Sequence, residues 1–156
     1  MNRFASVLLV DGRGRVLLQE RDEHAPIDPE RWGFCGGHLE PGEDFLSGAH
    51  RELEEETGVR LRDLGLELDL VGEYDVFHVH SGTDDVFRLF AARCDLTDDD
   101  VDCHEGRQIV FVDPDHAREL DLTAAASVAL GAFLDSERYA AWAPRRGGRS
   151  QDPSVG

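Results

Sequence analysis

The strongest constraint in the sequence is a helix-forming stretch that ends at a glycine. Leu46, Ala49 and Leu53 stand at i, i+3 and i+7, which is the spacing of one helical face. Gly58 follows directly, at the position where a helix C-terminus favours a left-handed residue. The pattern predicts a helix over Leu46–Thr57 with one face buried in a core.

Three acidic residues of this helix share one face. Glu52, Glu55 and Glu56 stand at i, i+3 and i+4, and carboxylates at that spacing repel one another and destabilise an isolated helix. Glu52 and Glu56 border the apolar stripe, whereas Glu54 points to the opposite side. Hard divalent cations take oxygen ligands, so a bound cation would offset the repulsion. The alternative is a solvated acidic face, the usual meaning of a charge run.

Residues upstream favour a metal site over a solvated face. Gly36 and Gly37 carry no β-carbon, so the backbone there can approach a ligand closely. Arg51 stands beside Glu52 and could orient it or neutralise part of the cluster. Glu43 precedes the helix, where the helix dipole favours a carboxylate.

The glycines, Glu43, Arg51 and the helix glutamates occur at fixed spacings in the sequence. Gly37 is followed after five residues by Glu43, and after seven more by the run Arg51-Glu52-Leu53-Glu54-Glu55-Glu56-Thr57-Gly58-Val59. This pattern resembles the signature of the Nudix hydrolases, with every fixed position filled over 23 residues. The order of strands and helices around it extends the resemblance over residues 3–140. A departure lies upstream, because many members have Pro-Gly-Gly where this chain has Cys35-Gly36-Gly37.

The resemblance implies roles for the signature residues. Glu52, Glu55 and Glu56 would hold Mg²⁺ or Mn²⁺, and Glu52 would also help to activate water. Arg51 would be a partner of these carboxylates, and Glu43 would be structural or an outer metal contact. Gly37 and Gly58 would be positions that require backbone freedom.

The family often uses one more acidic residue, on a loop well after the signature helix. Glu105 is the best-placed candidate in this chain, as a further metal ligand or the general base, and Asp102 is the fallback. Cys35 is expected to be a small buried apolar group. His78 and His80 alternate on one strand face, which leaves a metal role for them open.

Apolar segments separated by turns predict the remaining elements. Thr123 is the expected N-cap of a second amphipathic helix, Leu122–Tyr139, and residues 22–31 are expected to form a loop. Strands outnumber helices, which indicates a mixed sheet covered on both faces, and the resemblance implies an α/β (α+β) fold, the α/β/α sandwich. Residues 1–142 would form the domain and residues 143–156 a disordered tail. The predicted strands are Phe4–Val10, Val16–Leu18, 66–80, 84–94 and Ile109–Val112.

Charge and composition exclude several classes of partner. The formal net charge is -17 and every basic residue is arginine, so the surface repels nucleic-acid polymers and anionic lipid. The apolar runs are too short for a transmembrane helix, and no secretory segment opens the sequence, which predicts a cytoplasmic protein. The cysteines form no CxxC pair and are expected to be reduced thiols.

The resemblance implies hydrolysis of a phosphoanhydride bond in a nucleoside-diphosphate-linked small molecule. The chain looks most similar to members that act on nucleoside triphosphates, including oxidised deoxynucleotides. Arg21 is a candidate for binding a phosphate, together with the backbone at Gly36 and Gly37. Tyr74 lies roughly where relatives that cleave dinucleoside polyphosphates carry a tyrosine. Candidates for base contact are Phe4, Trp32, Phe34, Tyr74 and Phe87.

Several alternatives stay open at this point. Dinucleoside polyphosphates, ADP-ribose and nucleotide sugars are other substrates of the family. Isopentenyl-diphosphate isomerases use a cysteine and a histidine ahead of a degenerate signature, so Cys35 and His38 invite comparison. A domain that senses a nucleotide without cleaving it is the alternative of another class. Homodimers are common among relatives, and the sequence leaves one open.

Overall fold

A seven-stranded mixed sheet carries the other elements of the computed structural model, which describes residues 2–78 and 82–144. Strand β1 lies parallel to β6, and the other strand pairs are antiparallel. The main path of the sheet runs β3-β2-β1-β6-β5, while β4 pairs with β1 and β7 pairs with β2. The strands are β1 Arg3–Val10, β2 Val16–Glu20, β3 Trp32–Gly33, β4 Cys35–His38, β5 Asp69–His78, β6 Thr83–Arg93 and β7 Gln108–Val112.

Helices cover both faces of this sheet, which confirms the predicted α/β/α class. The described helices are α1 Phe45–Thr57, α2 Pro114–Glu119, α3 Ala124–Leu134 and α4 Glu137–Trp142, with short 3₁₀ turns at Leu61–Leu64 and Asp98–Asp100. None of the helices within the described ranges is long and apolar enough to cross a bilayer.

The sheet separates two apolar cores, and β1 contributes to both. Ala5, Val7 and Leu9 are buried on the face that carries α1. Leu8 and Val10 are buried on the opposite face, which carries α3. Since side chains alternate along a strand, a strand covered on both faces becomes a continuous apolar run, as β1 is.

Helix α1 is bounded by local hydrogen bonds. Asp44 accepts the Ser47 N–H at 2.7 Å and caps the start, and Gly58, at φ 75°, donates its N–H to the Glu54 carbonyl at the end. Leu53 is fully buried, as the apolar stripe predicted, but Leu46 is 38% exposed. Phe45 packs against the core in its place.

The predicted helix Leu122–Tyr139 is wrong as a single element. Ser136 interrupts it, because its hydroxyl donates to the Phe133 carbonyl at 2.6 Å and accepts the Tyr139 N–H at 3.2 Å. A side chain that bonds neighbouring backbone in this way ends one helix and caps the next. Thr123 caps α3, as expected, by accepting the Ala126 N–H.

Other predicted boundaries differ by a few residues. The strand predicted over 66–80 begins at Asp69, and residues 79 and 80 of it lie outside the described residues. The tail predicted from residue 143 lies outside them from residue 145 onward. The domain boundary at residue 142 stays a prediction.

Burial along α1 predicts which leucine stabilises the fold. Leu53→Ala should lower the free energy of unfolding by about 2–5 kcal/mol, because it leaves a cavity in a closed core. Leu46→Ala, on the same helix but partly exposed, should cost less than about 1 kcal/mol. Urea unfolding followed by tryptophan fluorescence measures both, and equal losses would contradict the burial described here.

Candidate active site

A cavity of about 320 Å³ opens on the face of the sheet that carries α3. Its apolar aromatic and aliphatic lining includes Phe4, Phe34, Val76 and Phe87. Residues of the loop after β2 and of the start of α3 also line it. The remaining lining residues are Ser6, Arg21, Pro26, Ile27, Asp28, Gly33, Gly36, Gly37, His38, Glu52, His78, Glu105, Thr123 and Ala125. The cavity therefore joins an aromatic wall to a group of acidic residues.

Glu52 reaches this cavity past β4, although α1 packs on the other face of the sheet. A β-carbon built on Gly37 would lie 2.7 Å from the Glu52 carboxyl group, well inside contact distance. The missing side chain at Gly37 is therefore what lets this carboxylate lie against the strand. The Glu52 side chain keeps 16% of its surface exposed.

Glu56 lies one turn further along α1 and is almost completely buried, at 3% exposure. It accepts the Gly36 N–H at 3.1 Å and the Gln19 amide at 3.4 Å. Burial raises the pKa of Glu56 to about 9, and a hydrogen bond with Glu52 and the charge of Glu105 act in the same direction. The group formed by Glu52, Glu56 and Glu105 therefore carries more negative charge than its neighbours compensate.

Arg51 supplies the nearest positive charge and donates hydrogen bonds to four groups. Its Nε and Nη2 donate to the two oxygens of Glu43 at 2.7 and 2.8 Å. Its Nη1 donates to Glu52 at 3.0 Å and to Glu55 at 3.1 Å, and Nη2 also reaches the His38 carbonyl. Arg51 therefore links the start of the signature to its carboxylates.

The loop that carries Glu105 is attached to the end of α1. The last carbonyls of a helix have no partner within it, and here the backbone N–H groups of Asp102 and His104 donate to Thr57 and Glu56. The His104 ring contacts the Glu55 carbonyl at 2.8 Å. These bonds bring Glu105 to the cavity, whereas Asp102 is not among the lining residues.

Gln19 is a residue of the site that sequence reasoning missed. Its amide donates to the Glu105 carbonyl at 3.0 Å and to Glu56, and the side chain is 2% exposed. It therefore joins β2, α1 and the Glu105 loop. The available signal was a polar residue on the same face of a buried strand as Leu17.

The carboxylates do not yet surround a common point. In residues 2–78 and 82–144, no three His, Cys, Asp or Glu side chains converge as a ready metal site. Arg51 Nη1 donates to both Glu52 and Glu55 in this arrangement. The donors present are nonetheless all carboxylate oxygens short of positive charge, which fits a hard divalent cation.

The predicted substrate-binding residues fall into two groups. Arg21, Gly36 and Gly37 line the cavity, and Arg21 Nε donates to the Ile27 carbonyl at 2.9 Å, which holds the covering loop. Tyr74 is not among the lining residues, and its ring stacks on Phe87 with centroids 5.2 Å apart.

Some of the aromatic candidates for base contact line the cavity and others do not, and the two histidines also differ in position. Phe4, Phe34 and Phe87 line the cavity, but Trp32 does not. His78 is buried in the cavity wall, and His80 lies outside the described residues.

Comparison with known proteins decides the family. A model of the NUDIX domain matches residues 2–132. The chain belongs to the Nudix family. The resemblance drawn from the signature is confirmed as far as the family is concerned, because the match covers most of the chain. Its fold is also that of the MutT protein from Methanosarcina mazei Go1, with a TM-score of 0.69, 20% identity, and 90% and 93% of the two chains covered.

Curated relatives differ in how much they share with this Nudix domain. The m7GpppN-mRNA hydrolase NUDT17 of Xenopus laevis is 42% identical over 59 residues, 38% of this chain, which spans only 20% of that protein. The CTP pyrophosphohydrolase of Escherichia coli is 27% identical over 126 residues, covering 81% of this chain and 87% of the relative. An isopentenyl-diphosphate Delta-isomerase from Pectobacterium atrosepticum is 35% identical over 97 residues, covering 55% and 54%.

The geometry around Cys35 argues against isomerase chemistry. Cys35 is fully buried in the core under α1, whereas His38 lines the cavity on the other face of β4. Burial raises the pKa of the Cys35 thiol well above its usual value, and the charge of Glu56 adds to this. A cysteine so placed cannot act together with His38.

Gly37 should be essential for the position of Glu52. Gly37→Ala should lower kcat/KM, measured for any nucleotide that the domain turns over, by about tenfold or more. The new methyl group displaces the Glu52 carboxylate, and small misplacements are costly in an active site. Gly12→Ala is a matched control, since a β-carbon there meets nothing within 4 Å. Retained activity in Gly37→Ala would show that Glu52 need not lie against β4.

The Glu43–Arg51 pair should make stability depend on pH. The hydrogen bonds from Arg51 lower the pKa of Glu43 to about 2. A carboxylate with a depressed folded-state pKa stabilises the fold above its unfolded pKa of about 4.3, and this is lost as pH falls toward 2.

Glu43→Gln should therefore lower the free energy of unfolding by about 1–2 kcal/mol at pH 7. The difference from wild type should shrink below pH 4.5 and vanish near pH 2. Glu40→Gln is the control, because the Glu40 side chain is 64% exposed and contacts Arg51 only at 3.4 Å. Denaturant unfolding across this range measures both, and a pH-independent difference would contradict the assignment.

Proposed function

We propose that this Nudix domain hydrolyses a phosphoanhydride bond of nucleoside triphosphates, including oxidised deoxynucleoside triphosphates, with a divalent metal ion. The observation that carries the proposal is the cavity that joins Glu52 and Glu105 to an aromatic wall. Aromatic surface suits a nucleobase, and a carboxylate-bound cation suits a polyphosphate.

Nudix hydrolases generally use divalent metal ions. We assign Mg²⁺ or Mn²⁺ as the ion, with Glu52, Glu55 and Glu56 as its ligands. The raised pKa of Glu56 supports this, because a cation beside the cluster would restore its ionised form. The ion, when bound, would neutralise phosphate charge and lower the pKa of a water molecule. The ion would also reduce the electrostatic repulsion between a chain of net charge -17 and an anionic substrate.

The residues of the chain have separate tasks in this proposal. Glu105 or Glu52 takes the proton from the attacking water, and both line the cavity. Arg21 faces the same space and binds a phosphate oxygen, while Gly36 and Gly37 leave room for the polyphosphate. Arg51 keeps Glu52 and Glu55 oriented without touching the substrate.

The size of the cavity favours a mononucleotide. Ligand sites usually measure about 300–1,000 Å³, so 320 Å³ lies at the small end and suits one nucleoside better than two. The position of Tyr74 outside the lining also gives no support to dinucleoside polyphosphates. The match to the Escherichia coli CTP pyrophosphohydrolase supports a nucleoside triphosphate.

Release of phosphate and pyrophosphate from a nucleotide panel tests the proposal. The panel holds nucleoside triphosphates, oxidised deoxynucleoside triphosphates, ADP-ribose, nucleotide sugars and dinucleoside polyphosphates, each with Mg²⁺, with Mn²⁺ and with EDTA. We expect metal-dependent turnover of triphosphates. Glu52→Gln and Glu56→Gln should each lower kcat by about 100-fold or more.

Glu54→Gln is the matched control, since Glu54 lies on the same helix but pairs with Arg60 on the surface. It should retain wild-type activity. Turnover of ADP-ribose or dinucleoside polyphosphates alone would reassign the substrate. Tight nucleotide binding without any turnover would favour a sensing domain. A homodimer and a cytoplasmic location stay predictions.

A further inference from the structure

Ser6 places a hydroxyl group in the cavity wall that the fold itself does not use. It is the single polar residue in the run from Phe4 to Val10, it lines the cavity, and only 8% of its surface is exposed. Within residues 2–78 and 82–144 its Oγ forms no hydrogen bond. Fully buried side-chain oxygen and nitrogen atoms in those ranges all have partners, so the Ser6 Oγ is not sealed in the core. Unpaired polar atoms are rare in such surroundings, which points to a partner outside the fold.

The direction of the Ser6 side chain follows from its place on β1. Ala5 and Val7, on either side of it, are buried in the core under α1. Since side chains alternate along a strand, Ser6 faces the opposite side of the sheet, which carries α3 and the cavity. Its cross-strand neighbours are Gly36 on β4 and Leu89 on β6, and neither has a side chain that can form a hydrogen bond. The hydroxyl is therefore available to a ligand in the cavity.

Ser6 also lies midway between the acidic and the aromatic parts of the cavity. At this end of the sheet the strands run β4, β1, β6, with about 5 Å between neighbours. On β4, Gly37 lets the Glu52 carboxylate approach, and on β6, Phe87 belongs to the aromatic lining. The sugar of a nucleotide links its phosphates to its base. A nucleotide with its phosphates near Glu52 and its base near Phe87 would place the sugar over β1, beside Ser6.

We propose that the Ser6 hydroxyl binds a sugar hydroxyl of the nucleotide. A serine hydroxyl donates one hydrogen bond and accepts others, as a sugar hydroxyl does, so the two groups are complementary in either direction. This inference rests on the proposed function, because it places a nucleotide in the cavity with its phosphates at the carboxylates. The alternatives are that Ser6 contacts a phosphate or the base, or that it only supports the fold.

Substrates without sugar hydroxyls provide the first half of the test. The set consists of the best substrate among ATP, GTP, CTP and UTP, with its 2′-deoxy, 3′-deoxy and 2′,3′-dideoxy forms, each assayed with Mg²⁺. We expect the dideoxy form to have a kcat/KM lower by about five- to tenfold, the loss typical of one neutral hydrogen bond. The two monodeoxy forms show which hydroxyl makes the contact.

Ser6→Ala provides the second half. The kcat/KM of the ribonucleotide should fall by about the same factor, whereas that of the dideoxy form should change by less than about twofold, because that form has already lost the contact. Ser127→Ala is the matched control, since it makes the same change at an exposed position of α3 outside the cavity lining, and it should leave all values unchanged. An equal loss on all four substrates would assign Ser6 to a phosphate or the base and overturn the proposal, as would no loss on any.

Unfolding of the metal-free protein separates a ligand contact from a structural role. A hydroxyl without a partner in the fold adds little to stability, so the urea midpoint of Ser6→Ala should be no lower than that of wild type. A lower midpoint would mean that the fold uses this hydroxyl, and the proposal would then be wrong.

Binding measurements separate this inference from the proposed activity. With Ca²⁺ in place of Mg²⁺, calorimetry gives the dissociation constants of ATP, GTP, CTP and UTP, and of the deoxy forms of the one bound most tightly. A preference for forms with a sugar hydroxyl that Ser6→Ala abolishes supports the contact, even if no form is hydrolysed. Turnover of all four forms with equal kcat/KM would overturn it while leaving the activity in place. Neither turnover nor binding of any nucleotide would overturn both.

Discussion

Electrostatic repulsion among the glutamates of α1 is the constraint on which the rest of the site depends. Glu52 and Glu56 lie at the rim of a closed core, where little water screens their charges. Arg51 offsets part of the repulsion, and the Gly36 N–H and the Gln19 amide offset more. What they leave uncompensated appears as the raised pKa of Glu56. In the proposed function, a bound cation would supply the missing positive charge.

The glutamate cluster of α1 is open to a ligand because β4 carries little side-chain bulk at this point. Helix α1 and the cavity lie on opposite faces of the sheet, and only a strand with little side-chain bulk lets a carboxylate pass between them. Gly37 provides that passage, and a side chain at Gly36, at φ 150°, would meet the β1 backbone at 2.1 Å. The two glycines therefore serve the packing of the strand as well as the approach of Glu52.

Much of the fold could be predicted because it follows from local sequence. The helix Leu46–Thr57 and its end at Gly58 are visible as periodicity and cap, and the structure begins that helix one residue earlier, at Phe45. The break at Ser136 was missed because an apolar stripe continues across it, while the hydroxyl that ends one helix also begins the next. Leu46 was placed in the core by spacing, but it is 38% exposed, and Phe45 packs against the core instead.

The sequence by itself determined the family and which carboxylates share one helix face, because the signature is a contiguous run whose spacing sets that face. Only the tertiary structure decided what stands opposite that face. His78 on β5 lines the cavity, and Gln19 on β2 bonds the loop that carries Glu105, and both positions depend on strand order and register. Contacts between residues so far apart in the chain leave no periodic trace in it, so they become visible only when the sheet is assembled.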